Sequence, residues 1–160
     1  IEWHFIGHLQ QNKVKYIAPY VSLVHAVDSL RLLQEINRQA LRCGRVIPCL
    51  LELHIAQEES KYGFTPEACE AMLAAGEWKA LTGVEITGLM CMASNTDDEA
   101  QIRREFHLAH KLFLRYKSLY FADKEYFKEC SWGMSHDYPI AVEEGATLVR
   151  VGSYIFGERI

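Results

Sequence analysis

The sequence predicts an α/β protein and, within that class, a (β/α)8 TIM-type barrel of which this chain holds the last six βα units, the first two being absent. Three observations carry the prediction. Short apolar runs alternate six times with segments of helical period, the pattern of parallel strands joined by right-handed crossovers. Gly7-His8-Leu9-Gln10, after the first run, is not the Gly-rich fingerprint that opens a doubly wound sheet. The last two runs empty into turns of small residues, Ser131-Trp132-Gly133-Met134-Ser135 and Arg150-Val151-Gly152-Ser153. Barrels commonly carry a phosphate site at that place, beside a short extra helix, for which residues 153–158 are suited. Six units fall short of a closed barrel of about 250 residues. The chain also begins at Ile1, without Met, inside a run with the character of a buried strand. It is therefore expected to be a fragment, residues 1–160 forming one partial barrel domain.

Each element has its own signal. Glu2 to Gly7 is an apolar run closed by Gly, a strand covered on both faces. Gln10 to Tyr20 places Val14, Ile17 and Ala18 at helical spacing, with Pro19 at its end. Val21 to Val27 is the second strand. Asp28 or Ser29 caps a helix whose stripe is Leu30, Leu33, Ile36, Ala40 and Leu41, stopped by Gly44. Val46 to Ile55 is the third strand, with Pro48 near its start, and Ala56 to Phe64 is a polar loop. Thr65-Pro66-Glu67 opens a helix that ends near Gly76. Val84 to Met92 is the fourth strand. Thr96-x-x-Glu99 reads as a capping box before a long helix carrying Ile102, Phe106, Ala109 and Phe113, which reaches at least Tyr116. Ser118 to Glu129 has no clear period and is taken as loop with some helix. Cys130 to Met134 is the fifth strand, Asp137-Tyr138-Pro139 starts a helix stopped by Gly145, and Leu148 to Gly152 is the sixth strand.

Bulk properties remove several classes of function. A formal charge of −4 gives no electrostatic case for nucleic acid or an anionic membrane, so any anion site must be local. No apolar run approaches the roughly 20 residues of a membrane span, and none within residues 1–160 reads as a signal peptide. The five cysteines (Cys43, Cys49, Cys69, Cys91, Cys130) are scattered, with no C-x-x-C pair. That argues against a disulfide framework or zinc cluster and favours reduced thiols in a cytoplasm.

The two strand mouths at the end have the chemistry of a phosphate anchor. Backbone N–H groups and hydroxyls supply donors, and glycine lets the main chain approach the anion. Singly, such glycines need only make tight turns; as a tandem pair ending a βα series they point to phosphate binding. Arg150 and Gly152 share one face of a strand, which directs the guanidinium into the barrel mouth beside that anchor.

At this level of detail the chain resembles a known family. Trp3-His4-Phe5-Ile6-Gly7-His8-Leu9-Gln10-Gln11-Asn12-Lys13-Val14-Lys15-Tyr16-Ile17, His25-Ala26-Val27-Asp28-Ser29, Glu59-Ser60-Lys61-Tyr62-Gly63, Gly88-Leu89-Met90-Cys91-Met92-Ala93, Ser131 to Tyr138 and Val149 to Gly157 are similar to motifs of the pyridoxal-phosphate homeostasis proteins, the YggS/PROSC group. These in turn resemble the barrel domain of alanine racemase. The resemblance implies a pyridoxal 5′-phosphate (PLP) binding protein of vitamin B6 homeostasis, with no established turnover, that buffers the cofactor or delivers it to PLP-dependent enzymes. It also implies the site. Ser131 and the pair Gly152-Ser153 would hold the phosphate, Gly133, Met134 and Ser135 would shape the pocket floor, and Arg150 would reach the pyridine nitrogen. A permanently protonated Arg donates to that nitrogen and keeps it unprotonated, which weakens the ring as an electron sink and suits storage over broad catalysis.

Three departures from the family stand out. Trp132 replaces a usual Met and Cys91 a common Gly, and both are expected to alter packing around the cofactor. The family's Schiff-base lysine lies on the first barrel strand, outside this chain. Lys61 and Lys13 sit in polar stretches and are poor replacements, so PLP binding by the chain alone is expected to be impaired. A racemase-like PLP enzyme is the alternative reading, and a sugar-phosphate barrel, on fold analogy alone, the third.

Other residues carry competing readings. Glu52 and His54 share a strand face as an acid–base pair or as mutually satisfied interior groups. His107 and His110 lie one helical turn apart without a third ligand, and read as solvent-facing. His8 is placed to approach the cofactor and His4 to pack between strand and helix. Met90 and Met92 share a face directed to the interior. Asp97-Asp98-Glu99 complements a helix N-terminus. Lys13 and Lys15 face solvent or a partner.

Overall fold

The computed structural model describes residues 1–59 and 62–160. Strands β1 (Trp3–Phe5), β2 (Val21–Val27), β3 (Ile47–Leu53), β4 (Val84–Cys91), β5 (Glu129–Met134) and β6 (Leu148–Arg150) form one sheet. They lie in sequence order, and every neighbouring pair is parallel. The connections are α1 (Val14–Ile17, after a 3₁₀ turn at Gln11–Lys13), α2 (Leu30–Arg42), α3 (Pro66–Ala75, followed by a 3₁₀ turn at Glu77–Ala80), α4 (Glu99–Tyr120) and α5 (Tyr138–Glu143), with α6 (Ser153–Phe156) after β6. This is the β/α series that the alternating apolar runs predict. Among the described residues no helix is long and apolar enough to cross a membrane.

The helix starts follow their caps. Ser29, not Asp28, caps α2 by accepting from the Leu32 amide at 3.1 Å, and Thr65 does the same for Ala68 in α3, with Pro66 in the first turn. The capping box at Thr96 is not the one used. Asp98 is the N-cap of α4 and accepts from Ala100 and Gln101, while the Thr96 hydroxyl accepts from the Asp98 amide. The unclear stretch after residue 117 resolves into the last turn of α4 and a loop folded back beneath it. There Phe121 and Phe127 are fully buried with stacked rings 4.1 Å apart, so aromatic burial rather than a local period organises this segment.

The sheet has two unlike faces. One packs against the helices in a continuous core that includes Val24, Leu51, Leu89 and Trp132 from strands with Leu33, Ile36, Leu73, Phe106 and Ala109 from helices. Among the described residues the other holds a small apolar cluster, Leu23, Leu50 and Met90 with Leu148 beside it. Two glycines make close approaches possible. A Cβ on Gly88 would stand 1.8 Å from the Glu129 carbonyl oxygen, so only glycine lets β4 lie against β5 there. Gly133 has φ 106°, and a Cβ there would stand 2.7 Å from the Ala141 side chain, so glycine is what lets α5 seat on β5.

Candidate functional site

The second face becomes polar toward the C-terminal end of the strands. Arg150 closes β6 and turns its guanidinium across the sheet. Nη1 donates to the Ser131 carbonyl at 2.8 Å and to the Ser131 hydroxyl, and Nη2 donates to the Cys91 carbonyl at 3.0 Å. Three of the five guanidinium N–H groups are thereby used. The other two have no acceptor among the described residues. Burial lowers the Arg150 pKa from its ordinary value, partly opposed by surrounding acidic groups, yet an arginine remains a cation throughout the working range.

Ser131 is fully buried, and its Oγ also lies 2.8 Å from His25 Nδ1. The other ring nitrogen of His25 meets His4 Nδ1 at 3.0 Å. Burial, reinforced by Arg150 and then by His4, lowers the His25 pKa to about 3, so the ring is neutral. Glu52 of β3 reaches the same face, buried and lining a cavity of about 200 Å³ with His54, Tyr62, Met92 and Asn95. Its pKa is raised to about 7, first by burial and then by Asp28, with Arg150 pulling the other way.

Above this layer lies the turn region anticipated as an anion cradle. Gly152 is the N-cap of α6, and a Cβ there would meet nothing within 4 Å, so open space stands over it. The Tyr154 amide donates to Ser135 Oγ at 3.1 Å, which ties the β5 turn to the start of α6. The amides of Gly152 and Ser153 have no hydrogen-bond acceptor among the described residues. Asp137, buried, holds the β5 turn by accepting from the Met134 amide at 2.7 Å. Met134 is itself exposed at the rim.

The structure thus brings Arg150, Gly152, Ser153, Met134 and Ser135 to one end of the sheet, with Gly133 supporting them through the α5 contact. Ser131 takes a different place. It stands opposite Leu148 in the ladder, below the cradle, and its hydroxyl is engaged by His25 and Arg150. The hydroxyl beside the start of α6 is that of Ser135.

Four further expectations are revised. Trp132 and Cys91 direct their side chains into the helix-side core, away from the polar face, and only the Cys91 carbonyl touches the site. His4 lies against His25 on the inner face instead of packing under a helix. Met90 fills the inner cluster while Met92 is exposed at the strand end. His110 is half-buried beside Phe113 and Trp132, while His107 is exposed and pairs with Glu144 at 3.2 Å. His8 stacks on Tyr62 at 3.8 Å, with its Nδ1 3.8 Å from Asp28. The expectation for Lys61 lies outside the described residues.

Two functional groupings escaped the sequence reading. One is His25 with His4. A histidine in the middle of a mostly apolar strand implies a buried, partnered group, and that was the available signal. The other is Glu105, set inside the apolar stripe of α4. Its carboxylate accepts from the Ser94 amide at 2.6 Å, the Ser94 hydroxyl at 2.7 Å and Gln101 at 3.1 Å, and so fixes the loop after β4 at the site end of the sheet.

A sheet of parallel strands in sequence order, joined by helices, is a barrel-type β/α domain, and residues 2–160 match the family model "Alanine racemase, N-terminal domain". The pyridoxal phosphate homeostasis protein of Aquifex aeolicus is 37% identical over 160 residues, covering 99% of this chain and 68% of that protein. Its counterpart in Deinococcus radiodurans is 41% identical over 155 residues, 97% of this chain and 67% of that one. The solved structure of PipY from Synechococcus elongatus, with PLP bound, superposes with a TM-score of 0.87 at 32% identity, covering 98% of this chain and 71% of PipY. The chain belongs to the alanine racemase N-terminal domain family and, within it, to the pyridoxal phosphate homeostasis proteins.

Proposed function

We propose that the protein binds PLP at the C-terminal end of the sheet and holds it as part of vitamin B6 homeostasis. The observation that carries this reading is Arg150, a half-buried cation with two uncommitted N–H donors beside an open cradle of unpartnered amides. The residues fit the group on both counts. A dianionic phosphate needs several donors and no side-chain bulk, and the Gly152 and Ser153 amides with the Ser135 hydroxyl provide them. An aromatic ring nitrogen needs one donor, which Arg150 has to spare. In this assignment Ser135 takes the phosphate role first given to Ser131, while Gly133 and Met134 shape the floor.

Bound PLP would supply an electron-accepting ring and a reactive aldehyde. Arg150 keeps the ring nitrogen in its unprotonated, acceptor form because a guanidinium has no proton to release near neutrality. This limits the ring as an electron sink and supports a holding protein over a racemase-like enzyme. The recipients in this reading are PLP-dependent enzymes and the setting is a reducing cytoplasm. Four of the five thiols are buried and unpaired, and burial pushes Cys69 and Cys130 up to about 12, which keeps them inert.

Equilibrium dialysis of the purified protein against PLP tests the reading. Saturable uptake that Arg150→Met weakens about tenfold or more is expected, from the loss of a charge-assisted hydrogen bond. No uptake, or equal uptake by the variant, overturns it. Racemisation of alanine, serine or glutamate by PLP-loaded protein would shift the assignment to the enzyme.

A further inference from the structure

The polar groups behind Arg150 form a line that crosses the inner face from β6 to β1, and its direction can be worked out by counting donors. Arg150 cannot accept a hydrogen bond, so its contact with Ser131 Oγ is a donation. Ser131 has one hydroxyl proton, and His25 Nδ1 at 2.8 Å is the acceptor for it. A neutral imidazole has one donor and one acceptor nitrogen. With Nδ1 accepting, Nε2 carries the proton and donates to His4 Nδ1 at 3.0 Å. The opposite assignment would leave the fully buried Ser131 hydroxyl proton with no acceptor among the described residues, a costly arrangement.

We propose that Ser131 and His25 are positioning residues for Arg150, forming with His4 a one-way hydrogen-bonded chain, Arg150 to Ser131 to His25 to His4, that fixes the guanidinium plane and leaves its two remaining donors for the ligand ring. This rests on the cofactor site proposed above. The carbonyls of Ser131 and Cys91 hold the guanidinium at two further points, but both belong to backbone and allow it to tilt about them. The hydroxyl contact removes that freedom, and the His25 ring in turn prevents the hydroxyl from rotating away.

The groups that act on His25 keep the chain in one direction. Arg150 approaches from β6 and His4 from β1, and burial adds to both in disfavouring an imidazolium. A proton on Nδ1 would face the Ser131 hydroxyl and reverse the chain at the link that holds Arg150.

The test has an arm that needs no ligand. In ¹⁵N-labelled protein without PLP, ring-nitrogen NMR is expected to show His25 as the Nε2–H tautomer, with no titration between pH 5 and 8. The Arg150 Nη1 and Nη2 signals should be distinct, as a guanidinium held from both sides rotates slowly, and Ser131→Ala should merge them. An Nδ1–H tautomer, ordinary titration, or Nη signals unchanged in Ser131→Ala would overturn the chain. The second arm is dialysis against PLP. His25→Leu and Ser131→Ala should each weaken uptake about tenfold, while His25→Asn, which keeps an acceptor near the position of Nδ1, should stay within about threefold of the parent. Full affinity in both disruptive variants, or equal loss in Asn and Leu variants, overturns the positioning role and leaves the PLP reading standing. Failure of the parent to take up PLP overturns that reading and the ligand half of this one, while the ligand-free spectra still decide the chain.

Discussion

The two faces of the one sheet have opposite chemistry. Toward the helices, Leu33, Ile36, Leu51, Leu89, Phe106, Ala109 and Trp132 are fully or almost fully buried in a single apolar core. Toward the inner side, three buried apolar side chains give way to buried His25, Ser131 and Glu52 and half-buried Arg150. Dense apolar packing is the main source of stability, whereas buried polar groups contribute little net stability and much geometric definition. Folding free energy therefore resides on the helix side, and the proposed binding site on the other.

The largest expected effect tests that division directly. Phe106→Ala should cost about 3–5 kcal/mol in urea denaturation, the range for an aromatic lost from a core. Arg150→Met should change stability by less than about 2 kcal/mol, because losing its hydrogen bonds is offset by removing a desolvated cation. Were Arg150→Met as destabilising as Phe106→Ala, the inner face would be part of the folding core and the distinction would fail.

A second pair of variants separates the inner face from itself by pH. The Glu52 pKa rises from 4.5 to about 7 on folding. Between those values the unfolded chain ionises first, so stability falls as pH rises, by up to about 1.4 kcal/mol per pH unit. The His25 pKa drops from 6.5 to about 3. There the unfolded chain takes up the proton first, so stability falls as pH decreases through that window, by a similar slope. The two slopes oppose each other between pH 4.5 and 6.5. Relative to the parent, Glu52→Gln should therefore gain stability from pH 4.5 to 7, and His25→Asn should gain it from pH 6.5 down to 4. Parallel urea-midpoint curves for parent and variants would show that neither group is held as the structure indicates.

The same contrast explains what could be read in the sequence. The helix side of each strand and the stripes of α2 and α4 were visible because burial against a helix imprints a local period on the chain. Arg150, Gly152 and Ser135 were also visible, since they belong to two short contiguous motifs. The chain behind Arg150 was not, because His25 and Ser131 lie 106 residues apart and meet only through strand order and register. Glu105 was hidden for a related reason: its partner Ser94 is on the preceding loop, and nothing in the α4 pattern requires a carboxylate there.

The smallest effect concerns a local signal that was present and misassigned. Thr96-x-x-Glu99 satisfies the capping-box pattern, but Asp98 stands two residues later and wins the helix N-terminus. A carboxylate is the better competitor because it accepts from two amides, Ala100 at 3.1 Å and Gln101 at 3.2 Å, and because its charge opposes the positive end of the helix dipole. The Thr96 hydroxyl accepts from the Asp98 amide, at 3.2 Å, outside the helix proper. Asp98→Ala should therefore lower stability by about 1 kcal/mol. Thr96→Ala should lower it by less than about 0.5 kcal/mol, as for a surface position without a special role. Reversed magnitudes in the same urea series would restore the capping box and move the start of α4 toward Thr96.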